Sequence, residues 1–160
     1  SPRWVGTGGM EPLTRIVAQA PGDLAERLAA ATPPAALRTF RGLPGYIRRS
    51  WGIGWALVGD AGYFKDPISA HGLTDALRDA ELLARAVISA GGGCTHMDAA
   101  LRGYQETRDR LSFPLFDVTD ALASFTWTDD DIGALLLEMS ASMKDEVDAI
   151  AALDAVAVGC

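Results

Sequence analysis

The sequence predicts an α/β chain that is mostly helical, and three observations predict it. A short apolar run, Trp55-Ala-Leu-Val58, follows Gly52 and Gly54 and ends at Gly59-Asp60. That pattern suits a strand buried on both faces. Apolar residues then recur at helical spacing from Leu73 to Val87, and again from Ile132 to Ile150. A loop with Pro67 and Gly72 joins the strand to the first of these helices.

In chain order, Ser1 to Met10 is Gly-rich and reads as an irregular entry. Pro12 to Ala31 has helical spacing through Leu13, Ile16, Val17, Leu24 and Leu28, with a break at Pro21-Gly22. Asp23 is placed to cap the second half, and Pro33-Pro34 ends it. Ala36 to Arg41 and Tyr46 to Trp51 read as two short strands around the turn Gly42-Leu-Pro-Gly45. Leu73 to Ala90 is the clearest helix. Leu73, Ala76, Leu77, Ala80, Leu83, Ala84 and Val87 mark its apolar, core-facing side, while Thr74, Asp75, Arg78, Asp79 and Arg85 mark the other. Gly91 to Gly93 stop it. Asp98 should cap a helix from Ala99 to Leu111, with Pro114 after its end and a short helix over Phe116 to Phe125. Trp127-Thr-Asp-Asp-Asp131 signals the start of a long amphipathic helix to about Ala152.

Bulk chemistry narrows the function. The chain has 160 residues, 49% apolar and 22% charged, enough for a globular core. Its formal net charge of −7 argues against a nucleic-acid partner. No apolar run reaches the roughly 18 residues of a membrane span, and no signal peptide is visible in the stretch that begins Ser1-Pro-Arg-Trp4. The missing initiator Met fits a chain whose beginning lies elsewhere. Cys94 and Cys160 make no disulfide framework and read as free thiols of a reducing, cytoplasmic compartment. His71 and His96 have no second ligand at metal spacing, so no metal is expected. Trp51, Trp55 and Trp127 read as packing residues, and the acidic residues after Phe113 as a solvated face.

Chemistry concentrates between Gly59 and Leu83. Asp60, at a strand end, is suited to accept hydrogen bonds from a sugar or polyol. Pro67 biases Asp66 toward an extended shape, and Gly72 lets a ligand approach the backbone. Amides of Leu73, Thr74 and Asp75 at the helix start favour an anion. Asp75 and Asp79 are rival anions for that start.

The stretch Gly59-Asp60-Ala61, Pro67, Gly72, Leu73, Ala76, Asp79-Ala80, Leu82-Leu83 resembles the second flavin-binding motif of FAD-dependent monooxygenases of the para-hydroxybenzoate hydroxylase class. The resemblance is close from Ala36 to Leu111 and looser elsewhere. It implies FAD as cofactor and NAD(P)H as reductant. Asp60 would bind the ribityl chain, and Gly59 opens the motif. Pro67 would lie near the reactive edge of the flavin ring. The backbone of Ala70, His71, Gly72, Leu73 and Thr74 would approach its pyrimidine side, with the helix start stabilising charge at N1 and O2 of reduced flavin. The family often has Gly at positions 69 and 71, Asn at 74 and His at 63, where this chain has Ser69, His71, Thr74 and Tyr63. His71 would either narrow the site or add a hydrogen bond to it.

The G-x-G-x-x-G turn that opens such enzymes is not in the sequence, nor is their middle Asp-Gly motif. The fold implied is a partial FAD/NAD(P)-binding Rossmann-type domain without its N-terminal βαβ unit, followed by a helical tail. Residues 1–50 would end a substrate-domain segment, 51–112 would be the C-terminal part of the FAD-binding domain, and 113–160 a helical extension. Without the first strand, Trp55 to Val58 would lose a neighbour and the apolar side of Leu73 to Val87 part of its cover. The function implied is that of an NAD(P)H-dependent flavin monooxygenase hydroxylating a small organic substrate, with FAD bound weakly or not at all by this chain alone. A flavin-dependent halogenase, a prenyl reductase and a cofactor-free helical interaction module stay open, as does homo-oligomerisation.

Overall fold

The structure, a computed structural model, describes residues 10–36, 43–91 and 94–157. The expected entry over residues 1–9, most of the strand over 37–41, and Gly42, Gly92, Gly93 and Cys160 lie outside the described residues, as does the side chain of Cys94. The chain is mostly helical and forms two compact units, Ser1–Leu43 and Pro44–Cys160.

In the first unit the break falls where Pro21-Gly22 places it. Helix α1 spans Met10–Val17 and α2 spans Leu24–Ala30, with Gly22 at φ +88° between them. Asp23 stands at the N-cap of α2 but makes no capping hydrogen bond. Its carboxylate lies 4.0 Å from Arg27, one helical turn on.

The second unit is built on three long helices: α3 (Gly72–Ser89), α4 (Cys94–Ser124) and α5 (Asp129–Ala157). Gly91, at φ +56°, follows the last turn of α3 as expected of a helix stop. Helix α4 corrects two expectations. It begins at Cys94, so Asp98 lies inside it rather than at its cap, and it runs unbroken through Pro114. Leu111, Leu115, Val118 and Leu122 form one buried stripe across the proline, and Pro114 itself is exposed. Burial along that stripe outweighs the single backbone hydrogen bond that proline removes. Phe125, at φ +53°, ends the run.

Helix α5 starts at the expected acidic cluster. The Thr128 amide and hydroxyl both donate to Asp131 Oδ2, at 2.9 and 2.7 Å. These bonds hold the exposed Asp131 carboxyl below its ordinary pKa. Ile132, Leu135, Met139 and Met143 then pack on Leu115, Val118 and Leu122 of α4.

Among the described residues, four two-residue strands connect to this bundle. Strand β1 (Tyr46–Ile47) pairs antiparallel with β4 (Tyr63–Phe64), and β2 (Trp51–Gly52) with β3 (Trp55–Ala56). The expected buried strand over Trp55 to Val58 is therefore corrected to one arm of a hairpin turned by Gly54 at φ +79°. Its sole ladder partner among the described residues is β2, Trp55 is 46% exposed, and its ring lies over Gly52, where a Cβ would come within 2.5 Å. Apolarity there reflects a tryptophan laid on a glycine, not burial between neighbouring strands.

The largest correction concerns the sides of α3. Asp75, Arg78, Asp79, Leu82 and Ala86 are buried. Leu73, Leu77 and Val87 of the apolar side are exposed, as is Ile88 beyond them. The charged side turns inward because partners wait there: Lys65, Ser112 and Glu146 pair with it. Below them Leu82 and Ala86 join Tyr104 and Leu111 of α4, with Ala149 and Leu153 of α5 against that cluster.

Candidate functional site

Gly59 makes the first joint of the site. It lies in a single 3₁₀ turn, Gly59–Ala61, at φ +54°, and a Cβ there would fall 2.9 Å from the Ala76 Cβ. Only glycine meets both demands. The Gly59 amide donates to Asp79 Oδ2 at 3.0 Å. Three residues of the sequence pattern, Gly59, Ala76 and Asp79, thus fasten the turn to α3.

Asp60 follows on the outer side of that turn. Its carbonyl accepts from the Tyr46 hydroxyl at 2.7 Å, and the next carbonyl, of Ala61, accepts from Arg48 at 3.1 Å. Its exposed carboxylate has no partner among the described residues. From the inner side Arg108 of α4 braces the segment, donating to Gly62 O at 3.0 Å and to Arg48 O at 2.7 Å. Tyr104 and Tyr63 add bonds to Leu57 O and Ser112 O, at 2.6 and 3.2 Å. Burial raises both phenols above the ordinary tyrosine range.

A cavity of about 130 Å³ opens between this turn and the start of α3. Asp60, Pro67, Ala70, His71 and Gly72 of the expected set line it. Gly59 lies beneath, while Leu73, 75% exposed, and Thr74 are not in its wall. Pro67 opens a second 3₁₀ turn, Pro67–Ser69, capped by Asp66 Oδ1 accepting from the Ile68 amide at 2.9 Å. Ala70 at φ +51° then reverses the chain into α3. A Cβ at Gly72 would sit 4.0 Å from Asp60 Oδ1. The carboxylate and the helix start therefore face the same space. The first backbone bond of α3 runs from the Asp75 amide to His71 O, at 3.0 Å, and no side chain caps the helix. The amides of Gly72, Leu73 and Thr74 precede that bond and lack helical acceptors.

The inner wall is ionic. The Arg78 side chain is fully buried and uses every donor it has. Its Nε and Nη2 donate to Asp79 Oδ1 at 3.0 and 2.7 Å. Its Nη1 donates to Asp75 Oδ1 at 3.1 Å and Glu146 Oε1 at 2.7 Å, and Nη2 also reaches Ser112 Oγ at 2.9 Å. Burial opposes its charge, but Asp79, Glu146 and Asp75 outweigh that and raise its pKa. Burial pushes the Asp79 carboxyl up, partly offset by Arg78, the Gly59 amide and Arg108. Lys65, buried against the Tyr63 ring, pairs with Asp75.

His71 joins the wall to α5. Its Nε2 lies 2.7 Å from Glu146 Oε2, across 75 residues of sequence. His71, Asp75 and Glu146 offer atoms within 4.8 Å of one another. That set is a metal-ligand chemistry, but Arg78 and Lys65 already hold both carboxylates. A metal would have to displace a guanidinium.

Sequence reasoning missed Lys65 and Glu146. Glu146 was read as part of a solvated acidic face, yet it is 1% exposed. Its one local signal is its place in the Met139, Met143, Glu146 and Ile150 series, a carboxylate on an apolar stripe. Comparison with protein-family models, with curated proteins and with solved structures gives no match.

Proposed function

We propose that the chain is the C-terminal part of a flavin-dependent oxidoreductase, an NAD(P)H-dependent FAD monooxygenase acting on a small organic substrate. One observation carries this reading: an Asp60 carboxylate without a partner among the described residues and the uncapped start of α3 face one cavity that Pro67 also lines. A carboxylate opposite a row of free amides is complementary to a ligand with hydroxyls at one end and a carbonyl edge at the other.

FAD fits this site in part. At about 130 Å³ the cavity is smaller than the several hundred Å³ of a whole cofactor pocket, so it would take one edge of the ring system. Asp60 would hold the ribityl hydroxyls and the α3 amides the pyrimidine carbonyl. Bound FAD would supply the redox chemistry, and the protein's part is to orient it and exclude water. The exposed Leu73, Leu77 and Val87 also support the reading. They lie on the side of α3 that the resemblance assigns to contact with the N-terminal βαβ unit of a Rossmann-type domain.

FAD titration followed by flavin fluorescence tests the proposal. Asp60→Ala should weaken binding roughly tenfold, the worth of one charged hydrogen bond, with helicity unchanged because Asp60 is exposed. Unchanged affinity removes Asp60 from the site.

A second reading, a cofactor-free helical module, is favoured by the way α3, α4 and α5 satisfy one another's charges without a ligand. Flavin absorbance in the purified chain decides for the first reading.

A further inference from the structure

We propose that Glu146 of the C-terminal helix is a positioning residue for the cavity: it fixes the ring of His71 so that Nδ1 accepts a hydrogen bond from the imide N–H of a bound flavin. This rests on the flavin reading above. The His71 Nε2 lies 2.7 Å from a Glu146 carboxylate oxygen. A carboxylate only accepts, so Nε2 carries a proton, and when the ring is neutral Nδ1 is left as an acceptor. His71 lines the cavity, and Nδ1 has no partner among the described residues. Beside it in the wall stands Gly72, whose amide is a donor without a helical acceptor.

The site therefore presents an acceptor next to a donor. Its complement is an N–H next to a carbonyl, a pattern that flavin N3–H and an adjoining carbonyl offer. Glu146 is well placed to hold the arrangement, because its second oxygen is tied to the buried Arg78 at 2.7 Å. Rotation of its carboxylate would break both bonds. Helix α5 thereby becomes part of the ligand site though none of its residues lines the cavity.

The experiment compares FAD with FAD methylated at flavin N3, each titrated into the full chain by fluorescence quenching. The unmodified chain should prefer FAD about tenfold, the loss expected when a buried acceptor goes unpaired. Glu146→Met should abolish that preference, and so should Glu146→Gln, whose single amide oxygen is claimed by Arg78, so that its amide nitrogen faces His71 Nε2 and the ring proton moves to Nδ1. Imidazole ¹⁵N shifts should show Nδ1 as the unprotonated nitrogen in the unmodified chain and mixed tautomers in Glu146→Met. Equal affinity for the two flavins overturns the proposal and leaves the flavin reading standing. Absence of binding by both overturns the flavin reading, and the proposal with it. The wild-type comparison is decisive even if Glu146→Met does not fold.

Discussion

The two halves of α5 are held differently, for the second adds a buried ionic cluster to the apolar contacts of Ala149 and Leu153. The first half lies on α4 through Ile132, Leu135, Met139 and Met143, all apolar. Farther along, Glu146 enters a buried ionic cluster with Arg78 and His71. Apolar packing depends on volume and tolerates a neighbour's adjustment. The ionic cluster depends on pairing, so every member needs all the others. One helix thus combines a forgiving attachment with an unforgiving one, and the unforgiving one adjoins the candidate site.

Substitution at Arg78 tests this contrast most severely. Arg78→Met leaves Asp75, Asp79 and Glu146 without their shared cation and should cost about 3–5 kcal/mol in urea denaturation. In the apolar half, Leu115→Ala should cost about 3 kcal/mol, while Leu115→Met should stay within about 1.5 kcal/mol. A mild Arg78→Met would mean that the carboxylates find other partners and the contrast is false.

The smallest effect is at the start of α5. Asp131 is held below its ordinary pKa by Thr128. A lowered carboxyl stabilises the fold above the unfolded aspartate value and loses that contribution as pH falls through the folded one. The stability difference between wild type and Asp131→Asn, measured in urea, should shrink on acidification from neutral pH.

Much of the fold was legible locally. The breaks at Gly22 and Gly91, the start of α5 and the span of α3 follow from residues whose own backbone chemistry decides them. Gly59, Asp60, Pro67 and Gly72 could be placed together because only a loop separates them. The orientation of α3 could not be read this way. Seven small or apolar residues on one side looked like a core face, but Arg78 and its carboxylates satisfy one another once α5 arrives. That partnership spans 68 residues and leaves no periodic trace. Pro114 misled for a similar reason, since its cost is local and the stripe that overrides it is not.

Gly59 gives the site its dimensions. The turn carrying Asp60 rests on Ala76 at a spacing that one extra methyl would violate. An alanine at position 59 would act as a wedge, tilting the aspartate away from the helix and widening the gap that a ligand has to bridge. The gauge of the whole cleft is thus set by an atom the chain does not possess.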